Sequence, residues 1–226
     1  MSGIIYIAIG RDYLQQALHS ARSVIENYEG NCPDIIIYTD IKSDSLLLFS
    51  PTRVHIRSIP VWIDDISSPV SLSGYFKTQL NYLSPFDKTL FLDTDIRAVA
   101  DISCIWSFCD KSIALAKAFN PLSEIAVYDK DSEEHYTQNL LSISGDFTQY
   151  NTGVILFDKC DKVDTVFRDW GREWLIFKNN DNKAFNRLIA KGLEIDYLLS
   201  IYNDFYPDRS HKSVLIHYIS WYKKYL

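Results

Sequence analysis

The sequence predicts a single α/β domain whose mostly parallel, Rossmann-like central sheet is flanked by helices. Two observations carry this prediction. Mainly apolar runs recur and stop at Gly or Asp, as in Ile4–Ile9 before Gly10, Ile35–Thr39 before Asp40 and Lys88–Leu92 before Asp93. Continuous rather than alternating hydrophobicity fits strands buried on both faces. Segments of helical periodicity lie between these runs, and a chain of 226 residues with 47% hydrophobic and 14% aromatic content supplies one large core.

In chain order, Ile4–Ile9 is the first strand. Leu14, Leu18, Ala21, Ile25 and Tyr28 recur at helical spacing after it, with Arg22 and Glu26 on the other side and Asp12 as the expected N-cap. Ile35–Thr39 is a second strand, Asp44–Phe49 a short helix and Val54–Ile59 a third strand, giving a βαβαβ opening. Pro60–Ser73 reads as a loop, and Gly74–Leu83 as a helix with Phe76, Leu80 and Leu83 on one face, ended by Ser84-Pro85. Lys88–Leu92 and Ile113–Ala116 follow as strands. The polar stretch Asn120–Asp146, with Asp129, Asp131, Glu133 and Glu134, reads as solvated surface. Tyr150–Phe157 is a strand, Val163–Phe177 and Asp181–Ala190 are helices, and short strands near Leu193–Leu198 and Val214–Ile216 close the chain.

The formal charge of −6 argues against a nucleic-acid surface, because binding a polyanion usually needs a basic face. Four cysteines without a CxxC pair read as reduced, mostly buried thiols. The run Ile4–Ile9 is too short for a signal peptide or a membrane span, so the expectation is a cytoplasmic protein. The tail Trp221-Tyr222-Lys223-Lys224-Tyr225 allows at most peripheral membrane contact.

An Asp-x-Asp pair alone says little in a chain with 22 aspartates, and two such pairs occur. Asp129-Lys130-Asp131 lies in the polar stretch and reads as a solvated loop. Asp93-Thr94-Asp95 instead follows an apolar strand, at the end that borders the ligand crevice in open α/β sheets. Side chains alternate along such a segment, so Asp93 and Asp95 can converge on one ion. Two like carboxylates at a buried strand's end call for a cation or other ligand unless they form a helix-capping turn, and their oxygens suit Mg²⁺ or Mn²⁺. His217 ends the run Val214-Leu215-Ile216; on its own it reads as a structural histidine, and within the ligand set it favours Mn²⁺. Lys77 reads equally as a solvent-facing helix lysine or a donor-site cation, and Asp181 fits a helix N-cap.

The string from Ser84 through Asp95 resembles the strand and DxD motif of retaining glycosyltransferases of the glycogenin and lipopolysaccharide galactosyltransferase type, which have the A-type nucleotide-diphospho-sugar transferase fold. The resemblance continues in order through Tyr150–Phe157, Asp181–Phe185, Tyr202-Asn203 and His217 to Lys223. It implies one glycosyltransferase domain over residues 1–226, nucleotide-binding in its first hundred or so residues and acceptor-facing in the rest. It also implies Mn²⁺ (or Mg²⁺) held by Asp93, Asp95 and His217, and phosphate contacts from Lys77 and Lys223. Ala8, Gly10, Tyr13 and Thr94 would join Asp93 and Asp95 around the nucleotide, with Tyr13 stacked on the base. Asn151, Asp181 and Asn182 would face the sugar and carry the catalytic contacts. Ile9-Gly10-Arg11 stands where relatives commonly offer an acidic residue, Asn182 where Gln is more frequent, and Ser220 and Lys224 where Gly and Pro are usual.

The function implied is metal-dependent transfer of a hexose from a nucleoside-diphosphate sugar, with UDP as the expected nucleotide, to a hydroxyl of a glycan, lipid-linked or protein acceptor, with retention. The alternative is a nucleotide-sugar-binding or scaffold protein of the same fold with impaired catalysis. A nucleotidyltransferase would carry a Gly-rich basic loop near the first strand, and Gly10-Arg11-Asp12 is too sparse for one.

Overall fold

The computed structural model describes residues 1–41, 53–59, 66, 68–118, 127–146, 148–205 and 212–218. The expected helix at Asp44–Phe49, the tail with Lys223, and parts of the 60–73 and 120–146 segments lie outside these residues.

The chain opens with β1 (Ser2–Ala8), α1 (Arg11–Asn27), β2 (Asp34–Thr39) and β3 (Val54–Ser58). Then come α2 (Pro69–Lys77), α3 (Leu80–Leu83), β4 (Lys88–Leu92), β5 (Ile96–Ala98) and β6 (Ile113–Lys117). The second half holds α4 (Glu133–Ser144), β7 (Tyr150–Asp158), α5 (Asp161–Phe177), α6 (Asp181–Ala190), β8 (Asp196–Tyr197) and β9 (Leu215–His217). Seven strands form one sheet in the order β3-β2-β1-β4-β7-β6-β8, and β5 pairs with β9 in a separate ribbon. All pairings in the large sheet are parallel except those of β7, which is antiparallel to both β4 and β6.

The apolar runs are continuous because the sheet is covered on both faces. Ile4, Tyr6 and Ala8 of β1 pack with Leu14, Ala17, Ala21 and Val24 of α1 and with residues of the β5–β9 ribbon. Ile5, Ile7 and Ile9 point the other way, into a core built with α2, α3, α5 and α6. Burying each such aliphatic side chain contributes about 1.5–3 kcal/mol.

The strand order places a topological switch at the β1–β4 boundary. The chain runs outward from β1 through β2 to β3, then returns to lay β4 on the opposite side of β1. In open α/β sheets the crevice at such a switch is where ligands bind, beyond the carboxyl ends of the strands. Here those ends are Ile9-Gly10 after β1 and Asp93 after β4.

Several expectations need correction. The N-cap of α1 is Gly10, not Asp12, which sits in the first helical turn. Gly10 has φ 95°, a conformation that costs glycine little, and its N–H donates to the Asp40 carboxylate at 2.7 Å. The segment read as a loop up to Ser73 is already helical from Pro69, because the Ser68 hydroxyl caps Ser71 N–H and Pro69 fills the first helical position. The helix expected over 74–83 is broken at Thr78-Gln79 into α2 and α3.

The polar stretch is not simply solvated surface either, since residues 133–144 form α4, capped by Ser132 and closed by left-handed Gly145. Glu133 of that helix is buried and pairs with fully buried Arg187 of α6 at 2.8 Å. Arg187 also binds Glu173 of α5 at 3.1 Å, so one guanidinium ties three helices together. Asp129 and Asp131, by contrast, are exposed. Cys32 and Cys109 are buried, Cys104 is exposed and Cys160 is partly covered, and none is in a disulfide. Among the described residues no helix is long and apolar enough to cross a membrane.

Candidate active site

At the β1–β4 switch lies a cleft of about 280 Å³, and Asp93, Asp95, Lys77, Asp181, Asn182 and His217 are among its walls. Asp93 directly follows β4, where its N–H donates to Gly153 O of β7 at 2.8 Å. The chain then turns through Thr94-Asp95 into β5, a strand not foreseen from sequence. That strand delivers the histidine. β5 pairs antiparallel with β9 so that Ile96 faces His217, and Tyr218 N–H donates to Asp95 O at 3.1 Å. Residues more than 120 positions apart in sequence thus share one corner.

One ligand atom from each of Asp93, Asp95 and His217 lies within 4.8 Å of the others. His217 Nε2 stands 3.2 Å from Asp95 Oδ1, and its Nδ1 lies 2.9 Å from Asn203 Oδ1. Burial raises the Asp93 carboxyl above its ordinary range; Lys77 opposes this and the neighbouring Asp95 adds to it. Burial also pushes Asp95 upward, but the hydrogen bond and charge of His217 outweigh it and leave Asp95 below the ordinary range. Two crowded carboxylates and an imidazole nitrogen facing one of them form a donor set that a hard divalent cation would satisfy.

Lys77, at the last position of α2, is buried rather than solvent-facing. Its ammonium lies 2.8 Å from Asp93 Oδ1 and 3.0 Å from Asp181 Oδ2. Burial alone would depress the Lys77 pKa, yet the Asp181 and Asp93 carboxylates more than offset this and hold it above the ordinary lysine value. The cation stays charged, bridging the Asp-x-Asp loop to the start of α6. The ammonium also lies 5.5 Å from the Phe91 ring centre.

The N-cap of α6 is Asn180, which accepts from Lys183 N–H at 2.9 Å, so Asp181 is not the cap but the first helical residue. This frees its carboxylate to accept from Lys77 and, at 2.5 Å, from the Thr152 hydroxyl. Asn182 accepts from Thr152 N–H at 2.6 Å; because a backbone N–H fixes that atom as the carbonyl oxygen, the amide nitrogen is its remaining polar group. Asn151 likewise accepts from Gly153 N–H at 2.8 Å through Oδ1. Both asparagines line the cleft.

The nucleotide-side positions are distributed less evenly. Tyr13 is 39% exposed and, with Thr94, borders the cleft. Gly10 sits at the mouth of α1. Ala8 is fully buried against α1, and its neighbours Ile7 and Ile9 line the cleft instead. Lys223 lies outside the described residues. Two residues that the sequence did not single out as part of the site matter to it: Thr152, which holds Asp181 and Asn182, and Asn203, which holds His217.

No family model matches the chain, and no curated protein matches it. Solved structures do. The galactosyltransferase LgtC, in complex with donor and acceptor sugar analogues, superimposes over 96% of this chain and 87% of its own, with a TM-score of 0.66 and 17% identity. The chain has the A-type glycosyltransferase fold. The bifunctional glycosyltransferase WbbM gives a TM-score of 0.67 at 16% identity, covering 96% of this chain, which spans 45% of WbbM. Mouse xyloside xylosyltransferase 1 gives 0.63 at 10% identity over 96% and 97% of the two chains.

Proposed function

We propose that the chain is a metal-dependent glycosyltransferase that moves a hexose from a nucleoside-diphosphate sugar, a UDP-sugar in the first instance, to an acceptor hydroxyl with retention. The observation that carries this is the convergence of Asp93, Asp95 and His217 at the switch-point cleft, within one ligand sphere and backed by the Lys77 ammonium. A divalent cation held by these three residues would neutralise the diphosphate as negative charge gathers on it. Asp93, Asp95 and His217 bind and orient, while Lys77 holds Asp93 and Asp181 in fixed positions.

On the sugar side, the amide nitrogens of Asn151 and Asn182 are hydrogen-bond donors suited to sugar hydroxyls. Asp181 is engaged by Lys77 and Thr152, and an amide is a poor nucleophile, so none of these three residues is set up for a covalent sugar intermediate. That supports attack by the acceptor on the face from which the diphosphate departs. Tyr13, which borders the cleft, would stack on the base. The acceptor is a glycan, a lipid-linked saccharide or a protein side chain, and transfer takes place in the cytoplasm.

A second reading, nucleotide-sugar binding without turnover, is favoured by Asn182, whose carbonyl oxygen is committed to Thr152. One experiment separates the two. Purified protein is incubated with Mn²⁺ and a panel of UDP- and GDP-hexoses, UDP or GDP release is followed, and the anomeric proton of any product is read by NMR. Metal-dependent release with a retained anomer is expected; binding without release would leave the second reading, and an inverted anomer would overturn retention.

A further inference from the structure

Asn203 lies at the junction between a ring nitrogen of His217 and the side chain of Asn151, and its own side chain is almost fully buried. The orientation of every group in this chain of contacts follows from one backbone N–H. Gly153 N–H donates to Asn151 at 2.8 Å, which makes the accepting atom the carbonyl oxygen Oδ1. Asn203 meets that same oxygen at 2.9 Å, so the atom it presents must be the amide nitrogen. Its other atom, facing His217 Nδ1 at 2.9 Å, is therefore the carbonyl oxygen, and Nδ1 must carry a proton. Nε2, 3.2 Å from Asp95 Oδ1, is then the nitrogen left to give up its proton to that carboxylate's side and turn a lone pair to a cation.

The ring has little freedom to do otherwise. Phe205 stacks on it at 4.8 Å between centres, and a Cβ at Gly153 would fall 2.4 Å from its Cε1.

We propose that Asn203 is a positioning residue: it fixes His217 in the Nδ1–H tautomer, presents Nε2 to the cation shared with Asp93 and Asp95, and through the same amide steadies Asn151 beside the sugar. The role in cation binding rests on the metal reading above; the tautomer does not. Partners that orient a metal-binding histidine in this way typically change metal affinity by about 10–100-fold when removed.

The test uses the full chain as wild type, Asn203→Leu and Asn203→Asp. Asp keeps an oxygen for Nδ1–H but replaces the donor to Asn151 with a charged acceptor, so it serves as the rescue of the His217 contact alone. Two quantities are read: the ¹⁵N shifts of the His217 ring nitrogens, and the affinity for Mn²⁺ alone, from the EPR signal of the free ion.

Wild type and Asn203→Asp should both show a protonated Nδ1, and Asn203→Asp should bind Mn²⁺ at least as tightly as wild type. Asn203→Leu should shift the proton to Nε2 and bind about 10–100-fold more weakly. A wild-type His217 without a proton on Nδ1, or an Asn203→Leu protein with unchanged ring protonation and Mn²⁺ affinity, would overturn the proposal. Failure of the wild type to bind Mn²⁺ would overturn the metal reading instead, and the wild-type ring shifts would still decide the tautomer even if Asn203→Leu did not fold.

Discussion

Replacing Gly153 by alanine should damage the site out of proportion to its size. The added Cβ would lie 2.4 Å from His217 Cε1, 2.8 Å from Asn151 Oδ1 and 2.9 Å from His217 Nδ1. The β7 backbone has little room to yield, since Gly153 O accepts from Asp93 N–H and the neighbouring Val154 pairs with Leu92 of β4. The imidazole must therefore retreat by about 1 Å to restore carbon–carbon contact near 3.5 Å. A displacement of that size at a reacting centre costs about 100-fold in rate, whereas overpacking by one methyl costs about 1–3 kcal/mol of stability. The assay pairs a urea titration with Mn²⁺-dependent nucleotide release from the preferred UDP-sugar. A folded Gly153→Ala protein with full activity and Mn²⁺ affinity would refute the claim that the His217 position is set by β7.

Three other perturbations follow from the buried charges. Lys77→Met should cost about 3–5 kcal/mol by leaving Asp93 and Asp181 without their shared partner, and Mn²⁺ should recover part of the loss by binding the folded form; thermal melts with and without the ion check both signs. Arg187→Met should cost a similar amount, about 3–5 kcal/mol, because Glu133 and Glu173 lose their buried cation, and hydrogen exchange should show α4 loosened. Thr152→Val keeps the shape but removes the hydroxyl held by Asp181 and Asn182; activity should fall by more than tenfold, about 1.4 kcal/mol or more, with Mn²⁺ affinity unchanged.

Elements governed by local pattern were readable in the sequence. The run into Asp93-Thr94-Asp95 and the strand at Tyr150 show apolar patterns that agree with their final burial, and the helix at Asp181–Ala190 was readable although it buries Asn186 and Arg187 beside Ala184 and Phe185. What escaped was decided by partners distant in sequence. β5 is three residues long and exists because β9 pairs with it, 120 residues later. α4 lacks a strong apolar stripe, since its buried positions include Glu133, Thr137 and Gln138, and a salt bridge to Arg187 holds it. Its caps, Ser132 and Gly145, were the available signal, as were Ser68 and Pro69 for α2.

Site residues divide along the same line. Asp93 and Asp95 could be inferred from the strand they end, and His217 from the resemblance. The burial of Lys77 could not, because a lysine on an amphipathic helix points to solvent unless carboxylates from two other elements meet it. Asn203 had only a two-residue motif to mark it, and its purpose shows in the hydrogen bonds to His217 and Asn151.

The central claim is that Asp93 and Asp95, with His217, hold a divalent cation for a nucleotide diphosphate. Calorimetric titration with UDP, with and without Mn²⁺, on the wild type and on an Asp93→Ala, Asp95→Ala double variant tests it most directly. The account predicts binding that requires Mn²⁺ in the wild type and disappears in a folded double variant. Binding of equal strength in both proteins, or no Mn²⁺-dependent binding of UDP or GDP by the wild type, would contradict it.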